Sequence, residues 1–297
     1  MRSEMRRSHS RAVAGWCQRV ACGFTLASIG VILSYANTVF AAPVKPTSCT
    51  ATISACGCTI TKSGVYTVSA DLNSSQGLNP DGDCLDIKVS KVTLNLGSHS
   101  ITGPGGMTTD IGIQDLHSSN NDNIVGSQAL AKISGWATGV QLRGNAIVLS
   151  SVDASSNRVD GIELNGSSND HVANWTANNE GSIGLWVKLG SNNFVTHGNA
   201  NSNDDTGILV GCVNGGVAGE DCTGAKGASK GNDIVDDSTL SNSKYGVALE
   251  SNASGTLVNS VSASGNTTDD LLDATGGCGS NEWVDDSFTT HSENCID

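Results

Sequence analysis

The chain has 297 residues, of which 15% are charged and only 4% aromatic, and it carries a formal net charge of −13. So acidic a chain makes a poor nucleic-acid partner, and it repels polyanions unless cations bridge them.

Residues 1–41 read as a signal peptide. Arg2, Arg6, Arg7, Arg11 and Arg19 form a basic start, and Val20 to Phe40 is largely apolar. Val39-Phe40-Ala41 supplies a small-x-small cleavage site. An uncleaved anchor is the competing reading, but Ser34, Asn37 and Thr38 interrupt the apolar run. Removal takes away five Arg and one Glu, leaving 11 basic and 28 acidic residues and a net charge near −17. No further long apolar run follows, so a secreted or periplasmic protein without membrane contact is expected.

Eight cysteines remain: Cys49, Cys56, Cys58, Cys84, Cys212, Cys222, Cys278 and Cys295. An even number in an exported chain favours disulfides, although sequence alone leaves about 105 pairings open. Their clustering suggests one group stapling the N-terminal end, Cys212 with Cys222 closing a loop, and Cys278 with Cys295 tying the C-terminal end. Cys56-Gly57-Cys58 has the look of a metal or redox pair, but no further ligand spacing supports it, so no metal site is expected.

Residues 42–58 read as a cap or linker. Alternating strands follow at Gly64-Val65-Tyr66-Thr67-Val68 and Val92-Thr93-Leu94-Asn95-Leu96, with a less regular stretch over 110–138. From Gly139 to Asn266 the chain repeats with a period of 23 residues. The modules are Gly161-Ile162-Glu163-Leu164, Gly184-Leu185-Trp186-Val187, Gly207-Ile208-Leu209-Val210 and Gly246-Val247-Ala248-Leu249. A second series runs Leu149, Val172, Val195, Val235, Val258, and a third Ala154, Ala177, Ala200, Leu240, Ala263. A fixed period of this size marks a solenoid, propeller or array. The segments alternate like strands and are separated by Asn, Ser, Gly and Asp, which suit turns. Leucine-rich repeats need helical backs, and propeller blades are longer and more aromatic. The expected fold is therefore an all-β, right-handed parallel β-helix of roughly eight rungs over residues 59–290. It has disulfide-stapled ends, an insertion at 211–231 and a tail at 291–297. The glycine opening each module is expected to permit a sharp bend.

The Gly-Ile-x-Leu modules, the Asn-rich corners, Val92-Thr93-Leu94-Asn95-Leu96 and Ser100-Ile101-Thr102-Gly103 resemble those of right-handed β-helix proteins in the pectin-lyase-like superfamily. The resemblance covers residues 59 to 290. It implies the fold, and a role in binding or processing polysaccharide; an enzyme of this kind would be a polysaccharide lyase or glycoside hydrolase. Its motifs are incomplete here. Asp204-Asp205, Asp236-Asp237 and His197-Gly198 match parts of the polygalacturonase pattern, but Arg-x-Lys is missing. Trp283-Val284-Asp285-Asp286 lacks the histidine of the lyase motif.

The period also predicts columns of side chains. Gln141, Glu163, Trp186, Leu209 and Ala248 form one outward column, with Arg143, Asn165 and Lys188 beside it. Glu163 and Lys188 are candidates for acid–base work, and Gln141, Arg143 and an exposed Trp186 for holding sugar. A glycosidase needs two carboxyl groups about 5–9.5 Å apart, and these columns give Glu163 no adjacent partner. A second column places His197 beside Asp237 as an oriented base, or as rungs of a hydrogen-bonded ladder. No cofactor is expected; calcium alone would have a role, bridging the acidic chain to an anionic polymer. The expected partner is a polysaccharide or cell-surface glycan. The alternative is a non-catalytic scaffold that presents the 211–231 insertion to a glycan or protein.

Overall fold

The computed structural model describes residues 47–106, 109–116, 121–212 and 228–296. Residues 1–41, expected to be a signal peptide, and residues 213–227 of the insertion, with Cys222, lie outside these. The described chain is a right-handed parallel β-helix, as parallel crossovers require. Asp160–Asn165, Leu185–Lys188 and Thr206–Val210 belong to a ten-stranded parallel sheet. His171–Thr176, Phe194–Thr196 and Asp233–Val235 belong to a second sheet. Stacking begins at Thr47–Ser48, where a two-residue strand pairs with Cys58–Thr59. Ten stacked strands make about nine turns, close to the roughly eight expected, and a length of about 43 Å. Two-residue strands carry too little alternation to be counted from sequence.

The core is built by columns. On the first sheet Val140, Ile162, Leu185, Ile208 and Val247 stack inward in register, all fully buried. On the second, Leu94, Ile124, Leu149, Val172, Val195, Ile234 and Val258 do the same. This aliphatic column ends on an aromatic side chain at each extremity, Tyr66 and Trp283. Trp283 lies on the last strand of the sheet, where its ring covers a core that the end would otherwise expose, while Tyr66 lies one strand in from the first.

Three corners per turn carry residues with left-handed backbone. One column is Ala146, Asn169 and Asn192; another Ser156, Asn179, Ser202 and Ser241; the third Ser151, Asn174, His197, Asp236, Ser260 and Asp285, all with φ between 50° and 65°. Short polar side chains tolerate this region best, which explains the Asn- and Ser-rich corners.

The module glycines have a different origin from the bend expected. None of Gly139, Gly161, Gly184, Gly207 and Gly246 has positive φ. Each instead lies so close to the next turn that a Cβ would sit 2.5–2.7 Å from a backbone carbonyl oxygen. The column is an approach of backbone to backbone that only glycine allows.

Buried amides link the turns beneath the corners. The Trp136 N–H donates to Asn157 Oδ1 (3.1 Å), Asn157 N–H to Glu180 Oε2 (2.7 Å), and Glu180 N–H to Asn203 Oδ1 (2.9 Å). The series continues from Asn203 N–H to Asn242 (2.9 Å) and from Asn242 N–H to Asn266 (2.8 Å). Glu180 is the one acid among these asparagines.

Disulfides join Cys49 to Cys58, Cys56 to Cys84 and Cys278 to Cys295. Cys212 is also disulfide-bonded. The last bridge closes a separation of 17 residues, for which loop entropy gives about 3 kcal/mol. A double Cys278→Ser, Cys295→Ser variant should melt roughly 6–12 °C lower by circular dichroism. An unchanged melting temperature would show that Trp283 and its neighbours cap the core unaided.

Candidate functional site

The outer face of the first sheet carries one continuous column: Asp86, Gln114, Gln141, Glu163, Trp186, Leu209 and Ala248. It passes from polar to apolar midway. The register from Gln141 onward is the one the 23-residue period predicts. The polar half opens into a groove of about 480 Å³, lined by Gln114, Thr138, Gln141, Asp160, Glu163 and Asn165, with Arg143 and Lys188 beside them.

The groove floor is a hydrogen-bonded chain. Gln114 Nε2 donates to Gln141 Oε1 at 2.9 Å, and Gln141 Nε2 donates to a Glu163 carboxylate oxygen. Asn165 Nδ2 donates to Glu163 Oε1 at 3.0 Å, and Lys188 Nζ stands 3.8 Å from the same oxygen. Lys188 Nζ also lies 4.2 Å from the centre of the Trp186 ring, a cation–π distance. Gln141 and Glu163 are thus brought together with Lys188, and Arg143 stands exposed at the rim. Three partners hold Glu163 in place. Asp160 is buried, and its Oδ1 accepts the Ile183 N–H at 3.3 Å, a structural role.

Trp186 differs from its expectation. It is 1% exposed, packed with Ile183, Leu209 and Ala248, and its Nε1 donates to the Gly211 carbonyl at 2.8 Å. It offers no open face for a sugar ring. Strand alternation assigns a side chain to a face but does not say whether that face is covered.

The His197–Asp237 pairing is also corrected. Val195 pairs with Ile234, not Val235, so the corner beside His197 is Asp236. His197 Nε2 lies 3.9 Å from Asp236 Oδ2, and both side chains are largely exposed. The Thr196 hydroxyl lies 2.7 Å from His197 Nδ1. Asp237 is buried and accepts the Gly198 N–H at 2.6 Å; burial pushes its carboxyl up to about 7. The motif-like glycine at 198 makes room for the Trp175 indole, which a Cβ would meet at 1.8 Å. His197 and Asp237 therefore serve the corner and the ladder separately.

Sequence reasoning missed Gln114 as the start of the groove's amide chain. The signal was present in Gly112-Ile113-Gln114, the same module. The step of 27 residues to Gln141, in place of 22 or 23, concealed it. Among the described residues no group of three or more His, Cys, Asp or Glu is placed to hold a metal ion. Nor is any described helix long and apolar enough to cross a membrane.

Fold and groove together define a parallel β-helix with a polar cleft across its strands. No protein-family model matches the chain, and no curated protein matches it. Among solved structures it is similar to the Dettilon tailspike protein gp208, at 12% identity and a TM-score of 0.48, over 76% of this chain and 53% of that one. It is similar to the periplasmic alginate epimerase AlgG at 12% and 0.47, over 73% and 50%. The A-module of the Azotobacter vinelandii mannuronan C-5 epimerase AlgE6 gives 12% and 0.40, over 80% and 78%. The chain spans about half the length of the first two. A coil of this kind hosts many activities, and identities this low carry no substrate with them.

Proposed function

We propose that this protein is an exported glycan-binding solenoid whose site is the groove over Gln114, Gln141 and Glu163. The observation that carries this reading is the aligned chain of primary amides and one carboxylate on the floor of a cleft built on rigid strands. Such a row presents donors and acceptors at the strand spacing, which suits an extended polymer lying across the turns. The engagement of Glu163 by Gln141, Asn165 and Lys188 favours holding a ligand over transferring a proton to it. Disulfides at both ends and the leader-like first 41 residues support export.

The test is affinity electrophoresis against a panel of polysaccharides, with reducing ends and unsaturated products assayed in parallel. Retardation without product is expected. A double Gln114→Leu, Gln141→Leu variant should lose binding by about tenfold or more, two buried hydrogen-bonding groups being removed. Binding that survives the double substitution would move the site elsewhere, and product release would replace binding by catalysis.

A further inference from the structure

The charge distribution of the groove narrows its ligand. Four of its lining side chains are ionisable: Arg143, Lys188, Asp160 and Glu163. Their formal charges cancel. The Lys188 ammonium is committed to Glu163 and to the Trp186 ring. Among the described lining residues Arg143 alone projects a cation at the rim, and the chain as a whole is strongly acidic. A polyuronate or sulfated glycan places an anion on every sugar or every second sugar. Each would need a cation within the cleft, and instead would face Glu163 and the negative field of the protein. Hydroxyl groups both donate and accept. Among the described residues they match what the ladder leaves open: the second N–H of Gln114 and of Gln141, the Gln114 side-chain oxygen, Asn165 Oδ1 and the Thr138 hydroxyl. Glu163 adds carboxylate lone pairs able to accept from paired hydroxyls.

We infer that the groove takes an uncharged, hydroxyl-rich glycan and discriminates against polyuronates and sulfated polymers. This rests on the glycan-binding reading above and names the substrate class of the same site.

The experiment compares binding of the purified protein to neutral xylan, mannan and β-glucan with binding to polygalacturonate and heparin. Each is measured at low salt and at about 0.5 M NaCl, with and without calcium. At least one neutral polymer should bind tenfold or more tightly than either polyanion, with an affinity that salt changes less than twofold. Glu163→Gln should weaken the neutral ligand about fivefold or more while the melting curve shows it folded. Tighter binding of polygalacturonate or heparin in any condition overturns the inference and leaves the glycan site standing. Failure to bind any polymer of either class overturns the glycan reading, and this inference with it.

Discussion

Replacing Glu180 with glutamine should stabilise the coil, with a gain that grows as pH rises from 4 to 9. Glu180 sits in the ladder between Asn157 and Asn203, 1% exposed. Its Oε2 accepts the Asn157 N–H, but among the described residues Oε1 finds no partner. The asparagines of the ladder use their amide nitrogens at the equivalent point: Asn203 Nδ2 donates to the Ala177 carbonyl at 3.2 Å, and Asn242 Nδ2 to that of Ala200 at 3.0 Å. A carboxylate has no hydrogen to offer there. Burial pushes the Glu180 carboxyl up to about 9, so it stays protonated over most of the pH scale.

The sign follows from where the protons sit. The folded state keeps the proton while an unfolded chain releases it near the ordinary value for glutamate. Stability is therefore complete below that value and falls as pH rises toward about 9. Asp83 and Asp237, raised by burial to about 7, and Asp170 and Asp286, raised to about 6, slope the same way. The wild type should be most heat-stable in mild acid. Glu180→Gln removes the slope that runs to the highest pH, a gain on the order of 3 kcal/mol at pH 7 or roughly 6–12 °C. At pH 4 the two proteins should melt together. Thermal melts across the pH range decide it: a difference independent of pH would mean that glutamine acts through packing and not through the proton.

Gly184→Ala should be among the most damaging substitutions of a single methyl group. The added Cβ would lie 2.7 Å from the Gly207 carbonyl oxygen, 2.7 Å from Asn203 Nδ2 and 2.8 Å from the Ala200 Cβ. None is the free end of a flexible chain. The oxygen belongs to the next turn's backbone, Asn203 is a ladder rung, and Ala200 is fully buried. Relief requires parting two turns, which breaks strand pairing on both sides. A loss of about 3 kcal/mol or more is expected, or failure to accumulate folded protein. Gly106→Ala is the comparison, because a Cβ there meets nothing within 4 Å; its effect should stay within about 0.5 kcal/mol. If Gly184→Ala melts within about 2 °C of the wild type, the glycine column is not held by close approach.

Much of the architecture was legible because each turn repeats one problem. The 23-residue period alone aligns Gln141, Glu163, Trp186 and Leu209 correctly. It fails by a single residue in one stretch after the insertion, from Val235 to Leu240, and holds again at Ala248 and Val258. Ile234 and Val235 are both β-branched and suit either face, so the pattern accepts Val235 where Ile234 is the inward residue. The slip carries forward. Thr239 is fully buried and Leu240 is 36% exposed, the reverse of what hydrophobicity suggests, and Asp237 is taken for Asp236. Faces exchange completely on a one-residue shift. The groove was legible in part, since Gln141, Arg143, Glu163 and Lys188 follow from the columns. The burial of Trp186 was not, because it depends on what lies over the sheet.

The three left-handed corners recur with nearly the same φ whether the residue is Ser, Asn, His or Asp. The shape of a turn is thus held in backbone dihedrals and in contacts with its two neighbours, and nowhere in the rod's total length. A solenoid of this kind is open to growth by duplication. An extra unit copied in frame would find the same bends, the same glycine approach and the same asparagine rung waiting above and below. It would displace the aromatic and disulfide ends by one strand spacing without disturbing the groove. Such a chain can change its reach in steps while its binding chemistry stays where it was.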